Sequence, residues 1–177
     1  YKGKKVGSFG HISTWSFCQD KIISTGGEGG MVSTNNKKLW LKLWSLKDHG
    51  KNYHSCFIKK HKTGFKWLHD NLGSNYRMTE MQAVLGREQL KTLDKQIKRR
   101  NLVANYYLNG LKDYYQKYKI LKKPDFNCYT CPLKLISKKC TKCVNAFYRL
   151  NLFLNRSRIK QIKLIEQLNR NKVNCSV

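Results

Sequence analysis

Polar and apolar positions alternate from Ile12 to Phe17, the alternation resumes at Lys21 to Ile23, and four glycines around Glu28 follow before Met31-Val32-Ser33. That pattern predicts a strand, a short loop, and a tight glycine turn into a second strand. Thr34-Asn35-Asn36 is a turn and helix-cap signal, after which Leu39, Trp40, Leu43 and Trp44 recur at helical spacing; the tryptophans are expected to be core. Lys47-Asp48-His49-Gly50 ends that helix, with His49 a structural histidine rather than a catalyst.

Little periodicity runs from Lys51 to Leu72, which reads as a long loop. Its histidines lack a paired metal spacing and are assigned no ligand role. Thr79 and Gln82 make a capping box that opens a helix with Met81, Val84, Leu85, Leu90, Leu93 and Ile97 on its apolar side. A second helical pattern, Val103, Tyr107, Leu111 and Tyr114, runs on past Lys98-Arg99-Arg100, and its aromatics are read as packing. Lys117 to Cys143 is loop-like and lysine-rich. Tyr148, Leu150 and Leu152 then alternate with Arg149, Asn151 and Phe153 as a strand does; Ile159, Ile162, Ile165 and Leu168 predict a helix, and Val173 to Val177 a short strand. Strand, helix and strand suit a small α/β domain. The boundary is expected near residue 95, giving domains 1–95 and 96–177.

Charge changes the picture less than its size suggests. The 177 residues carry 36 Lys and Arg against 10 Asp and Glu, a net charge of +26. Taken bare, that points to nucleic acid or an anionic membrane surface. The lysines, however, are scattered along every segment instead of gathered on one arm or helix face, as general compositional drift would leave them. No apolar run is long enough to span a bilayer and no signal-peptide pattern opens the chain, so a cytoplasmic protein without a membrane partner is expected.

Seven cysteines are many for such a protein. Cys128-x-x-Cys131 and Cys140-x-x-Cys143 have the spacing of two zinc knuckles, and a structural zinc on these four thiolates stands beside the alternative of four reduced thiols in a loop. A basic zinc-knuckle module that binds nucleic acid is the rival reading from another functional class.

Candidate chemistry converges on Lys21. Hydroxyls of Ser13, Thr14, Ser16, Ser24 and Thr25 and the rings of Trp15 and Phe17 flank it in sequence. An amine walled by apolar rings loses hydration, so its neutral form becomes accessible for attack on a carbonyl. Hydroxyls and backbone amides suit a phosphate. An amine nucleophile beside a phosphate cradle is what pyridoxal phosphate requires.

Ser16-Phe17-Cys18-Gln19-Asp20-Lys21 with Gly27-Glu28-Gly29-Gly30 resembles the lysine segment of the DegT/DnrJ/StrS family of pyridoxal-phosphate aminotransferases, which act on keto sugars attached to nucleotides. The resemblance continues, in order, through Ser45 to Gly50, Gly73-Ser74-Asn75-Tyr76-Arg77-Met78, and Glu80 to Gly86 with Gln89-Leu90. It covers residues 1 to 110 strongly and the remainder more weakly, through Ala146 to Leu150. It implies an α/β chain of fold type I, aspartate-aminotransferase-like: the end of the large cofactor-binding domain and part of the small C-terminal one. Family members are about twice as long, so an internal portion is expected, one that lacks the aspartate pairing with the cofactor's pyridine nitrogen and is inactive alone.

The same resemblance implies residue roles. Lys21 carries pyridoxal 5'-phosphate and later serves as a base. Ser16 binds the cofactor phosphate. Asn75 reaches across a homodimer interface to the phosphate of the partner's cofactor, and Arg77 contacts the interface or substrate phosphates. The reaction implied moves an amino group, with glutamate as expected donor, to a ketone on a nucleotide-linked deoxysugar for surface polysaccharides or other amino sugars. The pyrophosphate of such a substrate is a second reason for a basic chain. Some family members are dehydratases with histidine in place of the lysine, a branch that Lys21 argues against; others are regulatory and not catalytic, which remains an alternative here.

Overall fold

A computed structural model of the chain describes residues 1, 3–64, 66–117, 144–152, 154 and 160–175. Among them the backbone forms two compact units, one of residues 3–94 with Tyr1 and one that begins at Lys95.

In the first unit, β1 (Ser13–Ser16) and β2 (Gly30–Ser33) pair antiparallel, with Ser13 opposite Ser33 and Ser16 opposite Gly30. This is the strand, loop and glycine-turn arrangement expected from the alternation. Gly26 and Gly27 carry the turn at φ +78° and +137°, angles that side chains with a Cβ resist. Asn36 then caps α1 (Lys37–Lys47), its Oδ1 accepting the Leu39 N–H at 3.1 Å. Residues read as a long loop hold instead a short helix, α2 (Tyr53–Phe57), capped by Asn52 through the Ser55 N–H. One turn and a half is too short for a period to register in sequence. What α2 supplies is aromatic: Tyr53 lies 4.9 Å from Trp40 and 5.0 Å from Trp44 by ring centroids, and Phe57 packs on Trp44 and Tyr53. The tryptophans therefore pack as expected, yet Trp40 keeps two-fifths of its surface exposed.

The capping box at Thr79 and Gln82 forms, Gln82 Oε1 accepting the Thr79 N–H at 3.0 Å and Thr79 Oγ1 accepting the Gln82 N–H at 3.3 Å. It starts α3 (Glu80–Gly110), a single 31-residue helix where two patterns were read. Lys98-Arg99-Arg100 does not interrupt it, because these are good helix formers. A short α4 (Lys112–Gln116) follows.

In the second unit, α5 (Gln161–Arg170) bears out the helix expected from Ile162, Ile165 and Leu168. Of the flanking strands, described residues 144–152 and 171–175 form none, while Phe153, Ser176 and Val177 lie outside the described residues. Alternation alone makes no strand without a partner to complete its ladder. Asn101 Nδ2 and Arg100 instead donate to the Asn145 and Phe147 carbonyls.

Ala104 is the sole buried hydrophobic side chain among the described residues, beside buried Gly50 and the polar Thr25, Ser45 and Ser55. Small units bury little of their chain. Met81, Val84, Leu85 and Leu90, the expected apolar side of α3, are each about half exposed or more.

Candidate active site

β1 delivers Ser16 to the mouth of a pinched loop. Phe17 closes its base twice, donating its N–H to the Gly29 carbonyl at 2.7 Å and accepting the Thr25 N–H at 3.1 Å. Thr25, 1% exposed, fills the space that Gly29 leaves open; a Cβ on Gly29 would collide with its Oγ1, and one on Gly86 of α3 would press on its methyl group. Gln89 of α3 holds the far side, bonding both the N–H and the carbonyl of Ser24. Gln82 donates to the Glu28 carbonyl at 2.9 Å, so Glu28 acts through its backbone in the turn.

Within the loop a short polar chain runs from the strand to the lysine. Ser16 Oγ donates to Cys18 Sγ at 3.4 Å, Cys18 Sγ donates to Asp20 Oδ1 at 2.9 Å, and Lys21 Nζ pairs with the same Asp20 oxygen at 2.9 Å. Lys21 is anchored by its own N–H on the Cys18 carbonyl, and its side chain is about one-third exposed.

Of the two rings expected near Lys21, Trp15 has other neighbours. Trp15 stands over Gly7, where a Cβ would strike the ring, and its Nε1 donates to Ser33 Oγ at 3.1 Å. Successive strand residues face opposite ways, so the ring lies on the other face from Ser16. The carboxylate of Asp20 lies against the amine at 2.9 Å. Ser13 and Thr25 spend their hydroxyls on backbone carbonyls.

A second group gathers Asn75 and Arg77 around Asp48. After α1 the chain turns at His49, φ +58°, and Gly50, φ +77°. It then lies against residues 69–76: the His49 N–H meets the Ser74 carbonyl at 3.1 Å and the Tyr76 N–H meets the Lys47 carbonyl at 2.9 Å. Those bonds flank Asp48 and Asn75, which face each other as an antiparallel bridge. Gly50 and Gly73 permit the approach, since a Cβ on either would overlap the opposing backbone. Arg77, two residues beyond Asn75, shares its face. Its Nε donates to Asn75 Oδ1 at 2.9 Å and lies 3.7 Å from Asp48 Oδ1, while Lys51 Nζ reaches Asp48 Oδ1 at 3.0 Å. Burial by itself raises the Asp48 carboxyl pKa; the Lys51 hydrogen bond and the charges of Lys51, Arg77 and Lys47 together outweigh it and hold the group below its ordinary value.

Ser16 and Lys21 thus share one loop, and Asn75 and Arg77 share a second. Asp20, Asp48 and Gln89 stand inside the matched motifs without a role assigned to them, and Lys51 lies outside the motifs. A signal existed for the carboxylates: in a chain with 10 acids against 36 bases, an acid beside a candidate residue is rarer than a lysine. Cys128, Cys131, Cys140 and Cys143 lie outside the described residues, and the described residues hold no His, Cys, Asp and Glu cluster fit for a metal ion. No described helix is long and apolar enough to cross a membrane.

Residues 1–177 match the DegT/DnrJ/EryC1/StrS aminotransferase family. The chain is 40% identical over 119 residues to the GDP-perosamine synthase of Escherichia coli O157:H7, covering 67% of this chain and 30% of that protein. It is 37% identical over 145 residues to the UDP-4-amino-4,6-dideoxy-N-acetyl-beta-L-altrosamine transaminase of Campylobacter jejuni subsp. jejuni, covering 72% and 36%. Among solved structures, an aminotransferase from Psychrobacter cryohalolentis superposes with a TM-score of 0.87 at 40% identity, over 99% of this chain and 43% of that one. A GDP-4-keto-6-deoxy-D-mannose-3-dehydratase from E. coli with bound hydrated pyridoxal phosphate, 23% identical with a TM-score of 0.71 over 99% and 42%, shares the fold. The chain spans less than half the length of each of these relatives. Its fold is part of the fold type I architecture of pyridoxal-phosphate-dependent aminotransferases, as expected.

Proposed function

The chain belongs to the DegT/DnrJ/EryC1/StrS aminotransferase family, and on that premise we propose that it supplies the lysine segment of an enzyme that aminates a keto sugar linked to a nucleotide. The observation that carries this reading is the loop of Ser16 to Lys21, which joins a primary amine to a hydroxyl on a frame fixed to α3. The donor set suits pyridoxal phosphate. Lys21 Nζ is a partly exposed amine, and Ser16 Oγ spends its hydrogen on a thiol, a weak acceptor that a phosphate oxygen outcompetes.

Lys21 would hold the cofactor covalently and Ser16 its phosphate. Bound, pyridoxal phosphate supplies the electron sink that lets an amino group leave an amino acid and join a keto carbon. Lys21 Nζ must first give up the proton that Asp20 stabilises, after which its lone pair can attack. The same amine would also serve as the base that takes up the proton from the α carbon of the amino donor, which we take to be glutamate. Substrates linked to GDP or UDP are supported by the names of the relatives.

Asn75 would serve the cofactor phosphate of a second copy, making the site a homodimer's, and Arg77 sits beside it. The half-exposed apolar residues of α3 support burial against another chain. The reading takes its substrates from the cytoplasm.

The test is transamination by the full-length protein, with glutamate and a nucleotide-linked 4-keto-6-deoxyhexose. An amino sugar formed together with 2-oxoglutarate is the expected result. Loss of a hydroxyl without amination would identify a dehydratase, and no turnover of either kind would move the weight to a regulatory role.

A further inference from the structure

Asn75 has a fixed amide. Its Oδ1 faces Arg77, accepting Nε–H at 2.9 Å and the Arg77 backbone N–H at 3.4 Å. A guanidinium only donates, so the carbonyl oxygen must be the atom turned toward it. Both Nδ2 hydrogens therefore face away from Arg77, a donor pair aimed outward. Left alone, an asparagine side chain could turn over and present its oxygen instead, which an anion repels.

The Arg77 side chain is about half exposed and needs an anchor of its own. Asp48 provides one. Its side chain is 13% exposed, its Oδ1 lies 3.7 Å from Arg77 Nε, and the bridge that sets Asp48 directly opposite Asn75 puts both side chains on one face. Lys51, 18% exposed, holds the same carboxylate oxygen at 3.0 Å. Asp48 itself caps α1, its N–H donating to the Ser45 and Trp44 carbonyls, which leaves the carboxylate little room to wander.

We propose that Asp48 is a positioning residue for anion recognition by Asn75: its carboxylate steers the Arg77 guanidinium, which holds the Asn75 carbonyl and so presents the Nδ2 hydrogens to the cofactor phosphate. This rests on the reading that Asn75 serves that phosphate. Asp48 touches no cofactor atom in this scheme. Its charge is of the wrong sign to meet a phosphate, and the neutralising pair of Lys51 and Arg77 is what makes it tolerable nearby.

The test separates the phosphate from the rest of the cofactor. Pyridoxal phosphate and pyridoxal are titrated, by absorbance, into the full-length protein as wild type, Asn75→Ala, Asp48→Ala and Asp48→Asn, with thermal melts alongside. Asn75→Ala and both Asp48 variants are expected to weaken pyridoxal phosphate about tenfold, the scale of one hydrogen bond to a charged group, while pyridoxal changes about twofold or less. Asn75→Ala combined with Asp48→Asn should lose no more than Asn75→Ala alone, since both act at one contact.

If Asn75→Ala keeps the preference for the phosphorylated form, the underlying reading of Asn75 fails and the proposal falls with it. If Asn75→Ala loses that preference and Asp48→Asn keeps it, Asn75 stands and the relay from Asp48 is overturned. Equal weakening of both ligands by the Asp48 variants would mark a merely structural residue and also overturn it. Asp48→Asn preserves shape, so it decides the matter should Asp48→Ala not fold.

Discussion

Gln89 grips Ser24 as one strand grips another: its Oε1 accepts the Ser24 N–H at 2.9 Å and its Nε2 donates to the Ser24 carbonyl at 2.7 Å. A side-chain amide on α3 thereby replaces a backbone partner for the loop that ends three residues after Lys21. The loop has no strand neighbour there, and without Gln89 both groups would depend on water.

Replacing Gln89 by Leu removes both partners while keeping the volume. Two part-buried backbone groups are left unsatisfied, and unfolding free energy should fall by roughly 1–3 kcal/mol, as measured by denaturant titration. Gln89→Glu should recover about half of the loss. Its carboxylate still accepts from the Ser24 N–H but repels the carbonyl.

Two glycines should respond oppositely to a methyl group. Gly73→Ala sets a Cβ into the backbone of His49 and Gly50, which cannot retreat because the same chain carries Asp48. It should abolish soluble expression or cost several kcal/mol. Gly110→Ala meets nothing within 4 Å at the end of α3 and should stabilise by up to about 1 kcal/mol. Melting temperatures of the two variants test the contrast.

Acid should weaken the Asp48 cluster in a defined direction. The folded carboxyl releases its proton more readily than the unfolded one, because its cationic neighbours outweigh the effect of its burial. Ionised Asp48 therefore contributes stability above the ordinary carboxylate pKa of about 3.9, and that contribution is lost as pH falls through the lower folded value. The stability difference between wild type and Asp48→Asn should be constant at neutral pH and shrink below about pH 4. A difference that grows on acidification would contradict this.

Much of this was legible in the residues and some was not. The β1 and β2 pair, the Asn36 cap, the Thr79 and Gln82 box and the helix at 161–170 announce themselves, since each rests on local chemistry within a few residues. α2 left no period to read. The strand expected from Tyr148 to Phe153 is not formed by its described residues, 148–152, because alternation specifies a face but not a neighbour. The site divides in the same way. Ser16 and Lys21 were found as neighbours in one motif, and Asn75 and Arg77 as neighbours in another. Asp48 and Gln89 act on Arg77 and Ser24 from 29 and 65 residues away, and no spacing rule connects them. Of the rings expected near Lys21, Trp15 meets Gly7 and Ser33 instead, since it and Ser16 are adjacent in a strand and so face opposite ways.

The central claim is that Lys21 carries the cofactor. It is tested most directly by adding pyridoxal phosphate to the full-length protein, reducing with borohydride and mapping the modified peptide, with Lys21→Ala in parallel. A visible absorption band that reduction fixes onto Lys21, absent in the variant, is the predicted result. A colourless wild-type protein, or an adduct on another lysine that persists in Lys21→Ala, would contradict it.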